Sequence, residues 1–403
     1  MTTNEARAQE GVAHTGWKPH WMRQRDGQGG WTLRPAQIQF MQMPTDLSMG
    51  AHHRDFVKFC PFGVAQMDNG EIVLVGVCDH SAKKEKTVVC FSSDRGETWT
   101  APKRIGRFNY GRPMYLADLG EGNLTFIAQY KDETIRFFSK DYGRTWPRRV
   151  PHSIGLAMEG NPHVELGPDG KTRRMAITGT TLESLKDWPY SASENHFCWS
   201  DDGGRTYRDD VVPPEWYWDD VYDGRTYRRG CSEGSVIRAA NGWLVAALRP
   251  DVPAMYFAGD KVKYEDYNDN MEGAGISISQ DDGKTWSPLN VIFPAGRMHP
   301  HLLRMSDNVL VMTYIMRQDL CDGRVASYTR GCGALVSHDH GLTWDMDRET
   351  LLDSFQFADG TKLALGCGHI YSALLDDGTI LTCYGNYLTK GGCLIKWRPT
   401  NER

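Results

Sequence analysis

Four histidines, a glutamate and a tyrosine recur at matched places along the chain. Six apolar segments each end in a turn Gly or Asn. In each, one position nine residues before the turn residue and another two residues on form a pair. The pairs are Pro61/Gly63, Pro113/Tyr115, Asn161/His163, Glu233/Ser235, His299/His301 and His369/Tyr371. Residues two apart on a strand share a face. If these strands are neighbours, Glu233, His163, His299, His301, His369 and Tyr371 converge. Imidazoles move protons near neutral pH, and a carboxylate or phenol beside them completes an acid–base set. A lone His is usually a hydrogen-bonded structural residue; four at equivalent positions beside a Glu point to a site. The same donors suit Zn or Mn, but no close ligand spacing supports a metal, and neither metal nor cofactor is expected.

The elements that must position these residues are two interleaved repeats. The first is Cys60–Gly70, Arg112–Gly122, Gly160–Gly170, Ser232–Gly242, Met298–Asn308 and Gly368–Gly378, each followed by a second apolar strand. Each reads as strand, tight turn, strand. The second repeat is Ser-x-Asp-x-Gly-x-Thr-Trp, found at Ser92–Trp99, Ser139–Trp146, Ser279–Trp286 and Ser337–Trp344, with Tyr closing the copy Ser200–Tyr207. In such a turn the Asp accepts backbone N–H bonds, the Gly takes a positive φ and the aromatic packs under the next strand pair. Six hairpins and five Asp turns predict an all-β, six-bladed propeller, the Asp turns joining strands three and four of a blade. Residues 1–30 read as a surface tail and 31–403 as one domain. The strand within Trp31–Met43 is expected beside Cys393–Trp397, closing the ring and removing exposed edges.

The bulk properties narrow the function. A net charge of −5 over 403 residues gives no electrostatic case for nucleic acid or an anionic membrane. Ten Cys include no CxxC pair, and Cys60, Cys78, Cys90, Cys198 and Cys231 fall in apolar runs, so buried thiols are expected. The first residues lack an apolar h-region, which reads as a cytoplasmic chain. Long insertions follow the second strands or precede the first ones, including Cys78–Lys86, Thr180–Asn195, Pro213–Arg229, Pro250–Asn270 and Met316–Arg330. They mark one face of the disc as the working face. Trp216-Tyr217-Trp218 and the tyrosines of these loops pack the loops or stack on sugar rings.

The five Asp turns resemble the Asp boxes (BNR repeats) of the sialidase, or neuraminidase, superfamily of six-bladed propellers, over roughly residues 50–400. The segment Arg229-Gly-Cys-Ser-Glu233-Gly-Ser-Val-Ile, with Arg249 ending the next strand, is similar to the one that in sialidases carries the Glu polarising the nucleophile and an Arg of the carboxylate-binding triad. The resemblance implies these roles for Glu233 and Arg249, and Arg330 as third Arg with Arg317 and Arg324 as alternatives. Two positions depart from it. Cys60 stands where the first triad Arg belongs, leaving Arg54 or Arg112 to supply that cation. His369 stands where the nucleophilic Tyr belongs, with Tyr371 two places on. The acid is Asp79 by the resemblance, and Glu159 and Asp251 are further carboxylates.

Together these residues predict an exo-acting glycoside hydrolase cleaving a terminal acidic, sialic-acid-like or acid-linked sugar. Glu233, His369, Tyr371 and Asp79 would be catalytic. Arg249, Arg330, Arg317, Arg112, Arg54, His299, His301, His163 and Glu159 would bind an oligosaccharide or glycoconjugate. One rival is a polysaccharide lyase, or a non-sialic exo-glycosidase such as a rhamnosidase on uronate-containing glycans, working with a His/Tyr pair. Another is a propeller that binds glycans without turning them over.

Overall fold

Each strand–turn–strand repeat seeds a small antiparallel sheet. The computed structural model describes residues 13–14, 16–42, 59–78, 86–105, 113–130, 133–154, 156–181, 194–222, 224–251, 272–317, 319–321, 324–327, 329–356, 367–386 and 391–399. Among these there is no α-helix, only the two single 3-10 turns Pro214–Trp216 and Met346–Arg348. The first sheet orders Phe59–Gln66, Ile72–Cys78, Lys86–Ser92 and Lys103–Arg104. The second orders Pro113–Asp118, Leu124–Tyr130, Glu133–Ser139 and Arg148–Pro151. In the third, Leu156–Glu159 and His163–Leu166 both pair with Thr172–Thr181, followed by Asn195–Ser200 and Arg208–Val211. The fourth orders Cys231–Arg238, Leu244–Pro250, Ala274–Ser279 and Asn290–Phe293.

The remaining large sheet has ten strands. It runs from Arg297–Arg304 through Leu310–Met316, Thr329–Ser337 and Thr350–Gln356 to Lys18–Arg25. It then continues through Trp31–Gln42, Gly391–Trp397 and Ile380–Asn386 to Cys367–Leu374, with Ala13–His14 as the tenth strand, paired to Trp31–Gln42. The N-terminal strand closes the assembly where the sequence placed it, with Gln39 opposite Leu394 and Phe40 opposite Cys393. The surface tail expected over residues 1–30 is corrected in part. Lys18–Arg25 is a strand that pairs with Trp31–Gln42 along its whole length and with Thr350–Gln356 through Arg23 and Gln24. It covers two strand edges that would otherwise be left open.

The sheets stand in a propeller-like arrangement. The first strand of each repeat lies innermost, and these strands contact one another in a closed circuit. Phe59–Gln66 touches Pro113–Asp118, which touches His163–Leu166, then Cys231–Arg238, Arg297–Arg304 and Cys367–Leu374, which returns to Phe59–Gln66. Second strands such as Ile72–Cys78 and Leu310–Met316 are apolar without alternation because a neighbouring sheet covers each face. The core is therefore divided between sheets. Phe91, Phe126 and Phe137 fill the gap between the first two, and Phe197, Trp199, Trp216 and Trp286 fill the gap between the third and fourth.

Both turn classes behave as their composition dictates. The hairpin turn residues Gly70, Gly122, Gly170, Gly242, Asn308 and Gly378 all have positive φ, between 69° and 90°. Asn is the side chain that tolerates this region best after Gly. In the Asp turn at Ser279–Trp286, Asp281 Oδ1 accepts the Thr285 amide at 2.9 Å and Oδ2 accepts the Thr285 hydroxyl at 2.7 Å. Ser279 Oγ accepts the Gly283 amide at 2.8 Å and donates to Asp281. Trp286 Nε1 donates to the Gly283 carbonyl, and its ring meets Phe197 and Trp216 at centroid distances of 5.1 Å. The turn thereby fastens one sheet to the next. An ionic cluster does the same between the third and fourth sheets, where Glu165 and Asp282 share Arg174 and Arg238.

The Thr285 hydroxyl and amide hold the Asp281 carboxyl below the ordinary carboxylate range. A depressed folded-state pKa contributes stability above the unfolded value, lost as pH falls through the folded one. Asp281→Ala is therefore expected to lower unfolding stability by about 1–2 kcal/mol at neutral pH. In urea titrations the gap to the parent narrows as pH falls through the carboxylate range. A gap that widened in acid would contradict this origin.

Candidate functional site

The inner strands carry a feature that period-two alternation does not provide for. Each is interrupted along its length by an irregularity in the pairing. Ser232 and Glu233 together oppose Arg249, between the pairs Cys231–Pro250 and Gly234–Leu248. His299 and Pro300 oppose Tyr314. Gly368 and His369 oppose Gly385. Tyr115 and Leu116 oppose Phe126, and Phe62 is the added residue of the first sheet. In the third sheet the break falls at Gly160-Asn161-Pro162, between two strands paired with the same partner. Such β-bulges bend a strand and re-aim its side chains. His299 and Tyr115 adopt φ of 51° and 60° there, a conformation that costs a non-Gly residue about 1–3 kcal/mol. Pro61, Pro162, Pro300, Gly234 and Gly368 lie in or beside these breaks. Pro or Gly inside a strand run is the sequence signal that marks them.

The bulges bring Glu233, His299 and His369 together. Their potential ligand atoms all lie within 4.8 Å of one another. Glu233 Oε2 and His299 Nδ1 are in direct contact. The His299 and His369 rings stand 4.5 Å apart, centroid to centroid. Tyr115, Asn161, Gly234, Pro300, Ile370 and Tyr371 complete the walls of a narrow cleft of about 10 Å³. Tyr371 sits among rings: Tyr115 at 6.0 Å, His301 at 6.4 Å, and Phe62 and His369 at 6.5 Å.

Behind Glu233 lies a buried ionic cluster. Arg249 Nη1 is 3.2 Å from Glu233 and 2.8 Å from Glu272, and Nη2 is 3.6 Å from Asp251. Its Nε donates to Ser232 Oγ at 2.7 Å, and that hydroxyl donates to Asp251 at 2.7 Å. All of these side chains are buried. Burial alone would raise the Glu233 carboxyl; Arg249, His299 and His369 outweigh it and hold the group well below the ordinary range. Burial pushes the His299 imidazole down, against the pull of Glu233. The pair is thus a carboxylate in close contact with a neutral imidazole.

The other expected site residues fall elsewhere. His301 does not join His299. Because the extra residue intervenes, its Nδ1 accepts the Ser372 amide at 2.9 Å, and burial pushes it down to about 3. His163 lies 3.7 Å from Glu165, beside the ionic cluster of the third and fourth sheets. Arg249 is engaged by three carboxylates rather than open to a substrate. Arg317 and Arg330 are buried as well, and none of the three lines the cleft. Glu159 ends the strand Leu156–Glu159. Arg54, Arg112 and Asp79 lie outside the described residues. Trp216 packs in the core, and seven of the described cysteines, Cys60 and Cys231 among them, are buried. Glu272 was not anticipated; its one signal is an acid set directly against the apolar run of a strand. Tyr115 and Asn161 stood in the matched pairs without a role.

No family model matches the chain, and no curated protein does. Solved structures match in fold. A protein of unknown function from Dyadobacter fermentans superposes with a TM-score of 0.57 at 20% identity, over 85% of this chain and 96% of that one. The Hadza microbial sialidase Hz136 gives 0.52 at 15% identity, over 83% and 64%. An α-L-arabinanase from Penicillium chrysogenum, complexed with arabinobiose, gives 0.50 at 12% identity, over 84% and 93%. This chain thus spans less than two thirds of the sialidase.

Arg249→Met is expected to cost about 3–5 kcal/mol in denaturant unfolding, because it strands three buried carboxylates. A variant as stable as the parent would mean that Arg249 is not the ion holding this cluster together.

Proposed function

We propose that the chain is a glycan-cleaving enzyme of the sialidase-like propeller type. It would be built of six blades and act on the terminal sugar of an oligosaccharide or glycoconjugate. The observation that carries this reading is the buried Glu233–His299 contact, set beside His369 in a cleft at the centre of the inner strands. An ionised carboxylate beside a neutral imidazole is unfavourable to bury, and such sets cluster where proton transfer is needed. The fold likeness to a sialidase and an arabinanase supports a carbohydrate ligand. The six-blade count is supported by the circuit of inner strands, the ten-stranded sheet being read as two blades stitched together by Lys18–Arg25.

In this mechanism Glu233 orients His299, and His299 in turn faces His369, the member of the set nearest solvent. His369 takes the proton from a water that attacks the anomeric carbon, and Asp79 delivers a proton to the leaving oxygen. Glu233 stays ionised throughout. In sialidases, by the resemblance, the Glu partners a Tyr. Here its partner is His299, and Tyr371 is packed among rings, which favours imidazole chemistry over a tyrosine nucleophile. An acidic sugar needs a guanidinium for its carboxylate. With Arg249 occupied, Arg54 and Arg112 are the residues for that task.

A second reading, elimination next to a uronate carboxylate with His369 as base and Tyr371 as acid, is favoured by the near-parallel packing of those two rings, 21° between planes. One experiment separates the two. The protein is incubated with an aryl α-sialoside and with uronate-containing oligosaccharides, following aryl release and near-ultraviolet absorbance. Hydrolysis gives saturated products; elimination gives an absorbing one. In either case His369→Asn should lower kcat by about 100-fold or more at little change in KM. Turnover unchanged by His369→Asn, or no turnover of any glycan beside measurable glycan binding, would overturn the catalytic reading.

A further inference from the structure

We infer that Glu233, His299 and His369 form a binding site for one divalent transition-metal ion of the Zn or Mn class. The inference concerns the same cleft but stands whether or not the chain cleaves glycans. Each residue offers one ligand atom, and all three lie within 4.8 Å of one another. Donors about 2.1 Å from a shared ion lie roughly 3–4 Å apart, so small rotations of two imidazoles and a carboxylate close the shell. The donor set of two imidazoles and one carboxylate is the one that suits such ions.

Three further observations point to a cation. His299 Nε2 is buried and makes no hydrogen bond, and His299 itself is 6% exposed. A buried imidazole nitrogen without a partner is costly unless something fills it. The backbone holds His299 in a left-handed conformation to aim it here, and strain of this kind collects at ligand clamps. Finally, three buried carboxylates, Glu233, Glu272 and Asp251, face the guanidinium of Arg249, with the Arg317 charge acting on His299 as well. A divalent ion between Glu233 and the imidazoles gives that buried carboxylate a second positive partner beside Arg249. The three protein donors leave the cleft side of the ion for a water or for a sugar hydroxyl or carboxylate oxygen, as in sites that keep an open position.

The sequence offered no ligand spacing because each donor comes from a different sheet. Glu233 lies on Cys231–Arg238, His299 on Arg297–Arg304 and His369 on Cys367–Leu374.

The test is a titration of chelator-treated full-length protein with Zn²⁺, Mn²⁺ and Co²⁺ by calorimetry, with the visible spectrum of the Co²⁺ form and thermal melts alongside. The expected result is one ion per chain, a raised melting temperature and an absorption band of imidazole-bound Co²⁺. Affinity should fall by about 100-fold or more in His369→Ala and in Glu233→Gln. His196→Ala, on an outer strand away from the cleft, should keep it. No saturable ion, or binding that His369→Ala leaves unchanged, overturns the proposal and leaves the cleft with the Glu233–His299 contact alone. If Glu233→Gln fails to fold, His369→Ala and the Co²⁺ spectrum decide. Glycan cleavage by protein that binds no ion overturns the metal site and spares the enzymatic reading. Stoichiometric binding without any cleavage does the reverse.

Discussion

One guanidinium holds three carboxylates at the heart of the molecule. Arg249 reaches Glu233, Glu272 and Asp251 from the second strand of its sheet, and Ser232 bridges it to Asp251. Taken singly, each of these acids would be driven to the neutral form by burial. Shared around Arg249, Glu233 stays ionised well below its ordinary range. That charge pulls the neighbouring imidazole toward protonation, and it is burial that holds His299 down against this pull. The electrostatics of the cleft are therefore fixed one layer behind the cleft wall. The same geometry removes Arg249 from substrate binding, because a guanidinium surrounded at 2.8–3.6 Å by carboxylates has no bidentate face to offer.

The second constraint is backbone geometry. A regular inner strand would turn alternate side chains into the sheet interfaces, where apolar packing decides their identity. The extra residue in each inner strand lifts one side chain out of that alternation. At His299 and Tyr115 the chain accepts a left-handed φ to do so. The bulges on Cys231–Arg238, Arg297–Arg304 and Cys367–Leu374 bring Glu233, His299 and His369 together although they are far apart in sequence. The surrounding sheets over-determine the strain, since Leu302 bonds Ser235 and Ser372 bonds His301 across neighbouring inner strands.

Much of this was legible in the sequence. Turn residues announce themselves because few side chains tolerate positive φ, and the Asp turns because their hydrogen bonds need that order of residue types. The ring closure by Trp31–Gln42 was legible because an edge strand needs a partner. Lys18–Arg25 was missed since KPHWMRQR alternates weakly and carries a Pro, and only pairing on both edges makes it a strand. Within the site, Glu233, His299 and His369 were found by matched distance to the turn. His301 and His163 were grouped with them wrongly, because strict alternation was assumed through Pro300 and Pro162, the residues that signal its interruption. Glu272 follows a long insertion and shares no spacing with Arg249, so nothing local shows that it is buried against it.

The matched positions also bear on how such a centre diverges. A bulge presents whatever residue occupies it, and the packing around it is carried by the second and third strands. Exchanging the residue at that position alters the chemistry while leaving the sheet interfaces intact, which is why fold likeness at 12–20% identity says little about the reaction. Here the matched position holds Pro61, Pro113, Asn161, Glu233, His299 and His369 around the ring. On one side stand a carboxylate and two imidazoles, and on the other an apolar and aromatic wall with Phe62, Tyr115 and Tyr371. A ligand entering the axis meets a proton-active half and an apolar half. A sugar ring has the matching asymmetry, with hydroxyls at its rim and C–H groups on its face.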